Sequence, residues 1–251
     1  MLRLITVFFA LGFVLLTACS KDDEQPVVVT STTAPAATTD ASAKPTAPPA
    51  TGNDAVSNEA LSFEGADGTT LKGHLYANAG PKRNIAIVVS DQAQKTLATY
   101  AGDFVGKGVA VYTYDIRGVG ETGGSKNEAQ MDKDLEVAVR LIKSREYARI
   151  YVVGLGEAEA GAAFRVAARQ DLAGVAGLPA VGPVDVMPQV AEAKLFMAFE
   201  NDEDTVETMQ RAYNAAPQPA TQVVVPAPAQ PPTDVLSVPA VKQAILDFVS
   251  K

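Results

Sequence analysis

Strands that alternate with helices after an opening hairpin predict an α/β fold, with a mainly parallel sheet and helices on both faces. Three observations carry that reading. Residues 61–77, "LSFEGADGTTLKGHLYA", alternate apolar and polar residues around an Ala66-Asp67-Gly68 turn, as an antiparallel hairpin does. Four later runs, "NIAIVVS" (84–90), "VAVYTYD" (109–115), "RIYVVG" (149–154) and "LFMAF" (195–199), are continuously apolar, as strands buried on both faces must be. Between them, Met131, Leu135, Ala138, Val139 and Ile142 recur at helical spacing, so that one face of a helix over 127–146 is apolar.

The remaining elements follow in chain order. "AGVAGL" (173–178) and "TQVVVP" (221–226) are weaker strands of the same buried type. Residues 95–107, 157–170, 203–215 and 239–250 carry helical patterns. No internal repeat is visible. With 47% hydrophobic residues, only 6% aromatic residues and no Trp, the core is expected to be aliphatic. A formal charge of −8 argues against nucleic acid and against electrostatic docking on anionic lipid.

The first residues read differently. "MLR" is a short basic start, and "LITVFFALGFVLL" (4–16) is an uncharged run of signal-peptide length. It ends in Leu16-Thr17-Ala18-Cys19, which resembles a bacterial lipoprotein lipobox. The resemblance implies cleavage before Cys19 and acylation there, with the lipid bilayer as partner. Ser20, rather than Asp, then implies the outer membrane in a Gram-negative cell. The alternative is an ordinary secretory signal followed by a stray cysteine. Cys19 is the one cysteine in the chain, so no intrachain disulfide is possible. Residues 19–59 are rich in Thr, Ala, Pro and Ser and lack periodicity. They read as a disordered tether spanning about 35 Å as a coil. The folded domain is expected over 60–251.

The order of elements, "YDIRGVGETGGS" (114–125), the hairpin ending in "LKGHLYA" and the closing "VPAVKQAILDFVSK" resemble the α/β-hydrolase superfamily over the whole of 60–251. No long insertion separates 173–178 from 195–199, so the resemblance implies a minimal fold without a lid. It also implies a Ser–acid–His triad in that chain order at the carboxyl ends of the strands. The nucleophile belongs two residues beyond Gly154, where Gly156 stands. The acid belongs in "ENDED", where Asp202 holds its place. The histidine belongs in "APAQPPTD", where Gln230 stands. The chain has one histidine, His74, read as facing solvent from the opening hairpin. The usual triad therefore cannot be assembled. Ser90-Asp91-Gln92 replaces the family's His-Gly type oxyanion loop, and the Glu157 carboxylate, beside the missing nucleophile, would oppose a developing oxyanion.

Three functions compete. "GVGETG" (118–123) has the spacing of a dinucleotide loop, but its helix starts too late and no acid ends a strand about 20 residues on. A noncanonical ester or peptide hydrolase could use Ser90 or Ser125 with Asp91 or Asp202 as a weak base, without imidazole assistance. The favoured expectation is a non-catalytic binding or scaffolding protein. Asp91, Glu121, Glu157, Glu200, Asp202 and Asp204 would form an acidic mouth for a cationic ligand or an envelope protein. No His/Cys cluster has transition-metal spacing, and no cofactor is expected.

Overall fold

The computed structural model describes residues 56–179, 183–230 and 232–251. The signal-like run, Cys19 and most of the tether lie outside the described residues. Among the described residues, ten strands and six α-helices follow in chain order: β1 Ser57–Ala60, β2 Phe63–Glu64, β3 Thr70–Leu71, β4 Gly73–Ala77 and β5 Asn84–Ser90 come first. They are followed by α1 Gln94–Leu97, α2 Ala101–Val105, β6 Val109–Tyr114, α3 Glu128–Lys143, β7 Arg149–Leu155, α4 Glu157–Ala167 and β8 Gly174–Leu178. The chain closes with β9 Ala193–Phe199, α5 Glu203–Ala215, β10 Ala220–Val225 and α6 Pro239–Val249.

Eight strands form one sheet in the order β1-β4-β6-β5-β7-β8-β9-β10. Strand β4 is antiparallel to both of its neighbours, and every pair from β6 to β10 is parallel. Period-two alternation splits each central strand between two cores. Ile85, Ile87 and Val89 of β5 face the layer of α3, α4 and α5, while Ala86 and Val88 face α1, α2 and α6. Both layers are built mainly from aliphatic side chains, Leu135, Ile142 and Val166 in one and Val105, Val241 and Ile245 in the other.

The opening hairpin is more divided than its alternation suggests. Around the Asp67–Gly68 turn, β2 and β3 pair only with each other as a short ribbon, and the following β4 crosses into the main sheet. Strand β1 begins at Ser57, ahead of residue 60, and pairs Ser57 to Ala60 with Ala77 to His74. Its sequence, "SNEA", has no apolar alternation; beside its backbone pairing, this edge strand is held by polar side chains, Ser57 Oγ donating to Ala77 O and Glu59 pairing with Arg145. The helix expected over 95–107 breaks into α1, a 3₁₀ turn at Ala98–Tyr100, and α2.

His74 differs from its expected exposure. It is half-buried on the same face as Tyr76, which packs under α1 and α2, and its ring lies parallel to that of Tyr76 with centroids 6.1 Å apart. Its Nδ1 hydrogen-bonds Asn58 Oδ1 at 2.7 Å.

Candidate functional site at the strand–helix elbow

Strand β7 runs out of the sheet at Leu155 and α4 begins at Glu157, so Gly156 alone makes the turn. Its backbone takes φ 127° and ψ 155°, a region open to glycine but strained for any side chain. Gly156 N–H donates to Leu178 O at 2.8 Å, and Gly156 O accepts the first helical bond from Ala160 N–H at 2.8 Å. Two residues earlier, a Cβ on Gly154 would lie 2.4 Å from Glu159 O. The helix therefore sits directly against the strand, as a strand-to-helix nucleophile elbow requires.

What fills the elbow is a carboxylate. A Cβ on Gly156 would lie 2.2 Å from Glu159 Oε2, so the Glu159 side chain occupies the space a nucleophile's side chain would enter. Glu159 is only 2% exposed. Its Oε1 accepts no hydrogen bond, and the nearest cation, Lys126 Nζ, stands 3.6 Å from it. Burial pushes its carboxyl above the usual glutamate range. The sequence points to Glu157 as the obstructing charge, but Glu157 is exposed in the first turn of α4, where it complements the helix dipole. Glu159 was missed, although helical spacing aligns it with Ala163 and Val166 on the buried stripe of α4.

A cleft of about 700 Å³ opens over this elbow, with Asp91, Lys126, Glu128, Glu157 and Arg165 among its lining residues. Asp202 belongs to another cleft of about 620 Å³, shared with Phe199, Asp204 and the prolines at 228 and 232. The single acidic mouth expected from sequence is thus divided. Asp91 and Glu157 line the first cleft, Asp202 and Asp204 the second, and Glu121 and Glu200 line neither. Among the described residues, no three His, Cys, Asp or Glu side chains are grouped to hold a metal ion.

The other carried-over positions have local structural roles. Asp202 caps α5, accepting from Thr205 N–H at 3.1 Å and from Thr205 Oγ1 at 2.6 Å. Gln230 is exposed in the loop beyond β10. Ser90 ends β5 beside Leu155 but is only 1% exposed, and its Oγ accepts Gln92 N–H at 3.1 Å. Ser125 is exposed on the loop before α3. His74 is level with Thr113, which is level with Val88 and, through it, Val153. At the usual strand spacing it lies about 14 Å across the sheet from β7, with β6 and β5 between.

The "DIRGVG" loop is held by its own charges. Asp115 accepts from Gln94 N–H and from Glu121 N–H. Arg117 donates through Nε and Nη2 to Asp134 of α3 at 2.6 and 2.7 Å, and through Nη1 and Nη2 to Asp67 of the ribbon turn at 2.6 and 3.0 Å. It thus ties the β2–β3 ribbon to α3. The glycines of "GVGETG" lie in this loop, and no helix opens on them.

Sheet order, strand directions, helix layers and the elbow together define the α/β-hydrolase fold. Solved structures share it: an α/β hydrolase, GrgF, from Penicillium sp. sh18 has a TM-score of 0.64 at 15% identity, covering 77% of this chain and 98% of that one. A dienelactone hydrolase from Anabaena variabilis gives 0.63 at 14% identity, with 77% and 96% covered. An acetyl xylan esterase from Paenibacillus sp. R4 gives 0.60 at 15% identity, with 77% and 83% covered. No protein-family model matches the chain, and no curated protein matches its sequence.

Proposed function

We propose that this chain is a lipid-anchored cell-envelope protein whose α/β-hydrolase-like domain binds or scaffolds and does not hydrolyse. The observation that carries the reading is the elbow itself. Gly156 supplies no nucleophile, and the Glu159 carboxylate stands where one would project. A negative charge there would also oppose the oxyanion of acyl transfer. The one histidine of the chain is hydrogen-bonded to Asn58, about 14 Å across the sheet from β7. The burial of Ser90 and its bond to Gln92 N–H give no support to a relocated nucleophile.

The purified chain should neither hydrolyse short aryl esters above background nor react with a fluorophosphonate probe. Stoichiometric labelling at Ser90 or Ser125 would establish a noncanonical hydrolase instead. The anchoring part rests on the lipobox at Cys19. Cys19→Ala should abolish incorporation of a palmitate analogue, and equal labelling of both proteins would remove the anchor.

A further inference from the structure

We propose that the elbow cleft binds a small linear polyamine, with Glu159 as the acceptor for one of its primary ammonium groups. The proposal rests on the non-catalytic reading and names the ligand class of that same cleft. Its first support is an unmet acceptor. Glu159 is 98% buried, lines the cleft, and has an oxygen without a hydrogen-bond partner. Native proteins rarely leave such an atom without a hydrogen bond, because burying a polar atom unbonded is costly.

The second support is what already stands there. Lys126 Nζ is 3.6 Å from Glu159 Oε1, an ion-pair distance but too long for a hydrogen bond. Its side chain is 45% exposed and long enough to swing into solvent. The protein's own alkylammonium thus occupies the place proposed for the ligand's, without making the bond. Tyr114, fully buried and also without a hydroxyl partner, lines a void of about 10 Å³ together with Lys126. A second buried oxygen without a partner thus belongs to a residue that lines a void with the same lysine. A primary ammonium carries three donors and suits such a place better than a metal ion, which needs several oxygens at coordination distance. Among the described residues no such group of acids is present.

The third support is the charge around the cleft. Asp91, Glu128 and Glu157 border it, whereas the Arg165 guanidinium is engaged by Asp132 through three bonds of 2.8–3.0 Å. Further ammonium groups along a chain would meet these carboxylates, and a cleft of about 700 Å³ has room for the chain. The buried carboxylate would confer orientation, and the exposed ones a salt-dependent attraction.

The test is calorimetric titration of the full chain in non-ionic detergent with spermidine, and with tetramethylammonium as a cation lacking N–H donors. Saturable one-to-one binding of spermidine is expected, with little or none for tetramethylammonium. Glu159→Gln keeps the shape and removes the charge, and should weaken binding about tenfold or more. Lys126→Met removes the internal competitor and should tighten it. The proposal is overturned if neither wild type nor Lys126→Met binds spermidine, if Glu159→Gln binds as wild type does, or if tetramethylammonium binds equally well. A lysine-rich peptide that bound at Glu159 more tightly than spermidine would overturn the small-molecule assignment. Fluorophosphonate labelling of the wild type would instead strike the non-catalytic reading, leaving the titration to be judged on its own.

Discussion

The "DIRGVG" loop and the elbow are both features of the α/β-hydrolase fold, yet their charges are treated in opposite ways. In the loop, the Arg117 guanidinium is 8% exposed and meets two carboxylates in bidentate geometry, so that every charge has a partner. In the elbow, Glu159 is more deeply buried and has one oxygen with no hydrogen bond and a lysine held at a distance. The contrast separates the feature that serves the scaffold from the one that is free for function. A satisfied buried network specifies structure. A buried carboxylate left short of partners is a standing cost that a ligand can relieve.

The largest effect that tests this contrast should come from the loop. Arg117→Met removes the cation from Asp134, a carboxylate only 4% exposed, and leaves it buried and unpaired. Stability to urea should fall by about 3–5 kcal/mol. The further variant Arg117→Met/Asp134→Leu should recover much of the loss, since an apolar replacement of the whole pair is tolerated better than half of it. An Arg117→Met protein as stable as wild type would make the loop no more structural than the elbow.

At the elbow, Gly156→Ala combines a positive φ with a Cβ 2.2 Å from the Glu159 carboxylate. It should cost about 2 kcal/mol, within the range for strained backbone. The part of that loss caused by contact should disappear in Gly156→Ala/Glu159→Ala relative to Glu159→Ala, a double-mutant cycle read from urea midpoints. Strict additivity would show that the Glu159 carboxylate does not occupy the nucleophile's space. The same geometry predicts that Gly156→Ser with Gln230→His, even with Glu157→Gln added, stays inactive against aryl esters while Glu159 remains.

A smaller and pH-dependent effect separates the two regions further. Burial raises the Glu159 value in the folded state, with Lys126 opposing the rise and Asp91 adding to it. The folded protein therefore holds this proton more tightly than the unfolded chain does, and stability is lost as pH rises through the raised value. Glu159→Gln cannot ionise. It should be more stable than wild type at neutral pH, by less than either loss above. That advantage should shrink on acidification and vanish once pH falls below the ordinary glutamate range. Parallel urea midpoints across pH 4–8 would contradict the burial of an ionised Glu159.

The fold was legible because burial on both faces writes strands as unbroken apolar runs. The sequence ranges for β5, α5 and the start of α4 coincide with the structure, and those for β7, β9 and α6 differ by one or two residues. Strand β1 was not legible, since "SNEA" is polar and its pairing is set by β4 across the 61–72 ribbon. The loop motif could be recognised but its role could not, because the partners of Arg117 lie at Asp67 and Asp134, far from it in sequence. The elbow was legible as a turn without a nucleophile. Its occupant was hidden because a glutamate in the first turn of a helix is ordinarily a solvated one, and only α4 lying tight on β7 and β8 buries Glu159.

The smallest expected effect extends the contrast to a third carboxylate. Asp202 stands where the acid of a triad would, but it is exposed, and both of its oxygens serve the backbone and hydroxyl of Thr205 at the start of α5. It resembles Arg117 in being fully employed and Glu159 in neither burial nor need. Asp202→Ala should therefore cost only the loss of a helix cap, about 1 kcal/mol, with Asp202→Asn costing less because an amide oxygen still caps. Since Asp202 lines a different cleft from Glu159, neither variant should change the spermidine titration. Measured together, the urea midpoint and the titration separate three roles for an acidic residue in one fold. A change in spermidine affinity on removing Asp202 would mean that the two clefts act as one site, and the division between the capping acid and the binding acid would have to be abandoned.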